Sequence, residues 1–556
     1  MSQLVLGPLL RYVGEREATV WVETESAGEV EVLGHRARTF EVEGHHYALV
    51  RIDGLEPGTT TPYEVALDGD RVWPPANSPY PPSVIRTLEP ARPYRLLFGS
   101  CRIALPHEPP YNLRRDEDPR AREEDALYTY ALRMSTRPRE EWPDLVLWLG
   151  DQVYADDPSL GARSFAASRR DVAEPPGEHV ADFEEYTHLY LDSWSDPLVR
   201  WLLSTVSSAM IFDDHDVHDD WNISEAWVAK MRAKPWWHER IVGALMSYWL
   251  YQHLGNLSPR ELDEDPVYRR IDAGGDAGPL VRELAERADR DVTAARWSFH
   301  RDLGGTQLVV IDSRAGRLLD GSGRRMLDDA EWEYVERHAR GDCDHLLIAT
   351  SVPFLLPAGL HHLEQWNEHV CSGAWGKLAA RAAEVIRQAI DLEHWAAFDE
   401  SFRELTELER SVAAGERGIA PATIVTLSGD VHHAYLYEVA FRRDPAAAPG
   451  APNGRSAVYQ AVCSPMRNPL SDPERRAMRL ASSRPFIAVA RLLARAAGAR
   501  DHDVRWRPAG RRQPWFNNQL ATLELDGRRA HVRLERPVPG AAGPPQLEQV
   551  AERRLA

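Results

Sequence analysis

An α/β core preceded by a small β-rich domain is the architecture this sequence predicts, on three observations. The chain has 556 residues, more than one ordinary domain holds. Residues 1–90 carry short runs that alternate apolar and polar with a period of two, separated by Gly, Pro, Asp and Glu. From residue 93 the runs become almost continuously apolar and alternate with longer helical segments, the texture of strands covered on both faces.

In the first region residues 18–22 (ATVWV), 29–32 (EVEV), 47–52 (YALVRI) and 63–67 (YEVAL) read as strands. The stretch LVRIDGLEPGTTTPYEVALDG between them resembles the strand-linking segment of a fibronectin-type-III sandwich, with Pro62 before the aromatic Tyr63 as a departure. Residues 73–82 (WPPANSPYPP) read as an extended strap. The core follows as YRLLFGSC, a helix near 125–134, DLVLWLGD, SAMIFDDHD, TQLVVIDSR, HLLIATSVP and TIVTLSGDVHH. Pro- and charge-rich segments at 104–122, 156–180 and 256–292 read as surface insertions able to roof a site, and 236–254 as one apolar helix. Strands return in QLATLELDG and RAHVRLER, and residues 536–556 read as a flexible tail.

Sixty-six basic against 85 acidic residues give a net charge of −19. That balance opposes non-specific binding to nucleic acid or to anionic membranes, so no nucleic-acid-binding surface is expected. No apolar run of about 18 residues appears, so no membrane span is expected either. The N-terminus lacks the marks of a signal peptide or a twin-arginine signal, and Cys101, Cys343, Cys371 and Cys463 show no disulfide spacing. Together these predict a cytoplasmic protein. The absence of G-x-S-x-G and G-x-x-x-x-G-K-[ST] opposes a serine hydrolase and a nucleotide-driven motor.

Chemistry concentrates where strands end. FGSC ends at Cys101, WLGDQVY carries Asp151 and Tyr154, IFDDHD carries Asp213, Asp214, His215 and Asp216, and LSGDVHH carries Asp430, His432 and His433. The carboxyl ends of strands line the ligand crevice of an open α/β sheet. One such cluster is an ordinary turn. Four clusters of carboxylate, imidazole, thiol and phenol are costly to bury together unless cations neutralise them. This donor mixture suits a first-row transition metal, with hard carboxylates left over for Ca²⁺ or Mg²⁺.

These strand ends resemble those of the PhoD-like (alkaline phosphatase D) family within the calcineurin-type metallophosphoesterases. That branch replaces D-x-H with Ser-Cys, G-D-x-x-D with G-D-x-x-Y, G-N-H-[DE] with D-D-H-[ED] and G-H-x-H with S-G-D-x-H. All four forms stand here, at 99–101, 150–154, 213–216 and 428–432. ATSVPF, VVIDSRAGR and QAVCSPMRNPL are also similar to the family, so the likeness runs in order over residues 93–525.

The resemblance implies a metallophosphoesterase αββα sandwich over 93–535 behind a β-sandwich over 1–90. It implies metal ligands Cys101, Asp151, Tyr154, Asp214, Asp430 and His432, holding Fe³⁺ and divalent cations, Ca²⁺ in the family and Mg²⁺ or Mn²⁺ in a calcium-poor cytoplasm. It implies a catalytic His215 aided by Asp216, and Arg314, His433 and Arg102 as phosphate contacts. The implied reaction is hydrolysis of phosphate mono- or diesters by in-line attack of a metal-held hydroxide, on a phosphorylated small molecule or a phosphodiester. The competing reading is a metal-stabilised binding or scaffold protein.

Other polar residues receive plainer readings. His218, Asp219 and Asp220 are either further metal ligands or caps of the helix that follows them, and Cys463 is a buried apolar group. His361 and His362 form a solvated loop pair, Phe354 and Trp366 either shape the leaving-group pocket or pack under the lid, and His394 is an ordinary histidine.

Overall fold

The computed structural model describes residues 3–271, 274–319, 323–441, 456–510, 513–540 and 543–556. Two mixed sheets form the centre. The first runs Ser207–Ile211, Leu145–Leu149, Tyr94–Gly99, Leu520–Asp526, Arg529–Val538 and Gln546–Arg554, its first three strands parallel. In the second, Thr306–Ile311, His345–Thr350, Thr423–Ser428 and Ala457–Val462 are parallel neighbours, with Phe299–Asp302 antiparallel at one edge and Tyr435–Phe441 and Val504–Pro508 at the other.

Strand alternation assigns the layers. Leu145, Leu147 and Leu149 join Leu96, Phe98 and Ile211 in a core between the sheets, where they meet Leu308, Leu347 and Val425. The intervening Val146, Trp148, Leu97 and Met210 face helices Ala126–Ser135, Phe183–Trp194, Pro197–Thr205 and Trp237–Ser247. Val309, Leu346 and Ile424 face Asp329–His338 and Asp399–Ala413. Helix, sheet, sheet, helix is therefore the layer order, and every central strand is apolar on both faces, as its sequence requires.

The N-terminal region is a second, smaller pair of sheets closed over Val20, Val30, Val50, Val65 and Trp73. It is joined to the larger unit. Leu4–Val13 runs beside the edge strand Ser207–Ile211, whose Ser207 and Ser208 hydroxyls donate to the carbonyls of Arg11 and Leu10 at 2.5 and 3.1 Å. The long apolar helix expected over 236–254 is α-helical over Trp237–Ser247 and widens into a π-helical turn over Tyr248–His253. The widening frees carbonyls. Arg11, fully buried, donates to those of Tyr251 and Gln252 at 2.5 and 2.7 Å.

One expectation is corrected. Residues 546–554 do not form a flexible tail: Gln546–Arg554 pairs antiparallel with Arg529–Val538 and forms the edge of the first sheet. Residues 541–542 of that segment lie outside the described ones. The insertion at 256–292 is anchored on the N-terminal domain as well as on the larger unit. Gly275–Asp276 pairs with Phe40–Val42, so it packs on the N-terminal sheet. Among the described residues no helix is long and apolar enough to cross a membrane.

His45 of the N-terminal domain bridges Glu23 at 3.0 Å and Glu184 of the larger unit at 2.8 Å. Burial alone would lower its pKa, but the hydrogen bonds and charges of the two carboxylates outweigh this and raise it from 6.5 to about 9. The folded value lies above the unfolded one, so this stabilisation is complete below pH 6.5 and lost as pH rises through about 9. His45→Gln is expected to lower the thermal midpoint near pH 6, with the gap to wild type closing by about pH 10. A gap independent of pH in thermal scans would contradict a charged His45.

Candidate metal centre

All the strand-end clusters lie at the carboxyl ends of parallel strands, and the two sheets bring them to one crevice. The approach needs glycine at two places. A Cβ on Gly150, whose φ is +104°, would stand 2.6 Å from the Cβ of Asp213, and one on Gly429 would stand 2.2 Å from the Ser100 hydroxyl. Four non-glycine residues here have left-handed backbone: Cys101, Asp151, Asp430 and His432, with φ between 51 and 65°. Such conformations cost on the order of 1–3 kcal/mol each and persist where surrounding structure enforces them. The enforcing bonds are visible. Cys101 N–H donates to the Gly150 carbonyl, Arg102 N–H to the Asp151 carbonyl and Asp430 N–H to the Ser100 hydroxyl, at 3.0–3.2 Å.

Three donor groups result. Atoms of Cys101, Asp151 and His432 lie within 4.8 Å of one another, as do those of Asp151, Asp213 and Asp214, and those of Asp214, His215 and Asp219. Asp151 and Asp214 each belong to two groups, so the donors form one connected chain. Tyr154 joins it, its hydroxyl 3.4 Å from Asp151 Oδ2. Ser100 and Ser464 hydroxyls each lie 3.1 Å from Cys101 Sγ.

The charge balance is the chief electrostatic fact. Arg314 is fully buried, and its guanidinium contacts Asp213, Glu393, Asp214 at 3.2 Å and Asp430 at 3.3 Å. Asp430 spends its second oxygen on His394 Nε2 at 3.0 Å, and His394 Nδ1 meets Glu364 at 2.6 Å. Cationic groups run out before carboxylates do. Asp151 Oδ1 and Asp213 Oδ2 are buried with no hydrogen-bond partner. Burial, with repulsion from neighbouring carboxylates, pushes both well above the ordinary carboxylate range. The same causes raise Asp220 to about 10 and Asp219 to about 7. Burial and the charges of Asp151 and Asp430 push the Cys101 thiol up. Burial lowers His432 to about 4, which leaves the neutral imidazole that metals take. Orphaned carboxylate oxygens, a neutral imidazole and a thiol that ionises only beside a cation fit metal ions as occupants.

Several expected residues stand elsewhere than their expected roles suggest. Asp216 does not orient His215. It is buried and accepts the backbone N–H groups of Asp151, Asp213 and Val153 at 2.9–3.3 Å, bracing two strand ends. The partner of His215 is Asp156, 3.0 Å from Nδ1, which the sequence reading passed over although it lies two residues past Tyr154. Arg102 is turned away, bonded to Asp125 and the Ser193 carbonyl at 2.9 Å. Arg314 sits beneath the carboxylates. His433 is wholly buried, with Nδ1 on the Val431 carbonyl at 2.6 Å and its ring against Tyr435 and Phe516. Asp219 and Asp220 do not cap the following helix, Glu225–Arg232, which Ser224 caps.

His394, read as ordinary, bonds to the cluster, and its signal was the adjacent Asp391 and Glu393. His361 and His362 lie on helix Ala358–Cys371 and are buried, not solvated. Phe354 packs on Trp395 and Phe402 in the core, and Cys463 is buried between the sheets.

A layered αββα fold with a carboxylate-rich donor chain at its strand ends is thus in hand, and comparison with known proteins agrees. Residues 125–316 match the family model of PhoD-like phosphatase, and residues 1–85 match that of a domain of unknown function (DUF7800). Among solved structures the chain is similar to the structure of PhoD, at 12% identity over 99% of this chain and 92% of that one, with a TM-score of 0.57. It is also similar to purple acid phosphatase PPD1 from yellow lupin (Lupinus luteus) seeds, at 10% identity over 97% and 73%, with a TM-score of 0.44. No curated protein matches. Residues 125–316 are thus similar to PhoD-like phosphatase, and the chain shares the fold of the PhoD structure. That span holds Asp151, Tyr154, Asp213–Asp216 and Arg314, whereas Cys101, Asp430 and His432 reach the cluster through the fold.

Removing Arg314 would leave buried carboxylates uncompensated. Arg314→Met is expected to destabilise the protein by about 3–5 kcal/mol, read as a lower urea midpoint. A midpoint matching wild type would mean that the four carboxylates do not depend on this guanidinium.

Proposed function

We propose that this protein is a metal-dependent hydrolase of phosphate mono- or diesters. The observation that carries the reading is the connected donor chain from Cys101 to Asp219, with its orphaned carboxylate oxygens. Cys101, Asp151 and Tyr154 would hold a ferric ion, for which thiolate and phenolate are suitable donors. Asp151, Asp213, Asp214 and His432 would hold divalent cations, Ca²⁺, Mg²⁺ or Mn²⁺. Bound there, the cations would activate water and neutralise charge on the phosphoryl oxygens.

The chain's own residues supply the rest. His215 is the proton donor to the leaving oxygen. Burial alone would lower its pKa, but the charges of Asp156 and Asp214 raise it well above the ordinary value. Asp156 fixes the ring through Nδ1, and Tyr154 packs on its face with centroids 4.7 Å apart. Arg314, Asp216 and His394 are positioning residues, since each acts through a carboxylate or a backbone group. The free state of all four cysteines is in keeping with a reducing, cytoplasmic setting.

Elemental analysis of protein purified without added metal is expected to find iron and divalent cations, with iron lost in Cys101→Ala. The same preparations should hydrolyse p-nitrophenyl phosphate, bis(p-nitrophenyl) phosphate or both. His215→Ala is expected to lower kcat by about 10²–10⁴-fold. Asp156→Asn should lower it by about 10–100-fold with metal content retained. Metal-free protein without hydrolysis of either ester would overturn the reading in favour of a scaffold.

A further inference from the structure

Helix Lys377–Ala389 is built against the usual rule for a surface helix. Its Arg387 is turned inward, bonded to Asn367, Glu368 and Glu384, while Leu378 and Val385 point to solvent. Helices Asp472–Ala481 and Arg484–Ala496 expose Leu480, Val489 and Leu492 in the same way. These five side chains are between 58 and 83% exposed. All three helices belong to one region. Lys377–Ala389 and Arg484–Ala496 pack on helix Ala358–Cys371, and the exposed Trp375 indole donates to the Ala496 carbonyl at 3.3 Å. Met478 and Phe486 meet Leu360 in a small apolar cluster there. Five exposed aliphatic side chains on three helices around one common helix depart from the single scatter usual at a protein surface.

Charge identifies the occupant. Residues 472–503 hold seven arginines against Asp472, Glu474, Asp501 and Asp503, with Arg495 paired to Asp501 and Arg475 to Glu123, in a chain of net charge −19. Arg476, Arg479, Arg484 and Arg491 are exposed beside the aliphatic residues, and Lys377 and Arg381 are exposed on the neighbouring helix. Exposed leucine and valine flanked by arginine is the composition of helices that lie in a membrane interface, apolar face among the acyl chains and guanidiniums among anionic headgroups. A two-fold contact between copies through this face would set the arginines against one another. Aliphatic side chains give a nucleic acid nothing to read.

We infer that helices Lys377–Ala389, Asp472–Ala481 and Arg484–Ala496 form a docking surface for an anionic lipid bilayer. The inference needs no assumption about the chemistry at the metal centre.

The test is co-sedimentation of the full-length protein with vesicles of phosphatidylcholine, alone or mixed with phosphatidylglycerol. Binding is expected only to the mixed vesicles, and it should weaken as NaCl is raised to about 0.5 M. The variant Leu378→Ser/Val385→Ser/Val489→Ser/Leu492→Ser should bind about tenfold more weakly or worse. Arg476→Glu/Arg484→Glu should do the same through charge alone. Both alter exposed positions only, and unchanged circular dichroism and thermal midpoints establish that they fold. Absence of binding to the mixed vesicles, or equal binding by the serine variant, would overturn the inference. So would a lipid-free dimer that the serine variant dissociates, which would give the face to a second copy of the chain.

Discussion

Arg314 is the contact on which the site depends. Its guanidinium lies where the two sheets converge, and it meets Asp213 and Asp214 from the first sheet, Asp430 from the second, and Glu393 from the segment ahead of helix Asp399–Ala413. Asp312 accepts the N–H groups of Arg314, Ala315 and Gly316, so the loop carrying the guanidinium is itself fixed. One cation cannot balance four buried carboxylates. Arg317 shares Glu393 and His394 shares Asp430, and with those contacts made, Asp151 Oδ1 and Asp213 Oδ2 still have nothing. The remaining negative charge faces the crevice, beside Cys101 and His432. The protein side of the cluster is pre-assembled around Arg314 and is short of positive charge on the open side, the arrangement that favours metal ions there.

Holding this cluster requires two sheets whose strand ends do not drift. Backbone strain at Cys101, Asp151, Asp430 and His432 is sustained by bonds that cross between strands and between sheets. One edge of the first sheet is covered, with Leu4–Val13 lying along Ser207–Ile211, and the charged strand Gln546–Arg554 forms the other edge. Edge strands left bare invite pairing with other chains, and covering them also stiffens the strands within. The N-terminal domain is therefore part of the scaffold: its Arg11 takes the carbonyls freed by the π-helical turn, and Trp21 and Tyr47 pack on Tyr251 of that turn.

How much was legible in the sequence follows from how local each feature is. The strand ends were legible because a G-D or D-D-H after an apolar run is written in consecutive residues. Adjacent residues do not share a direction, however. Asp216 follows His215 and points to backbone amides instead, and Asp156 reaches His215 across 59 positions. His394 was missed because its carboxylate partners, Glu364 and Asp430, lie 30 and 36 residues away. The edge strand at 546–554 was missed because its half-exposed, charged sequence sets only Leu547, Val550 and Ala551 against the core, too few to announce a strand.

Charge was the least legible property, because net charge averages over a surface on which position decides. A balance of −19 opposes an anionic partner for the chain as a whole, yet screening limits each charge's reach to about 10 Å in ordinary salt. Beyond that distance the acidic majority does not weaken a local arginine excess, nor does the arginine excess neutralise the crevice. The arginine-rich helices at 472–500 and the carboxylates around Asp151 carry opposite excesses in the same molecule. The same averaging conceals Arg387 and Arg314, each buried and matched to carboxylates of its own, so that neither adds to the field outside. Partner classes follow from where uncompensated charge reaches the surface, and only a folded chain shows that.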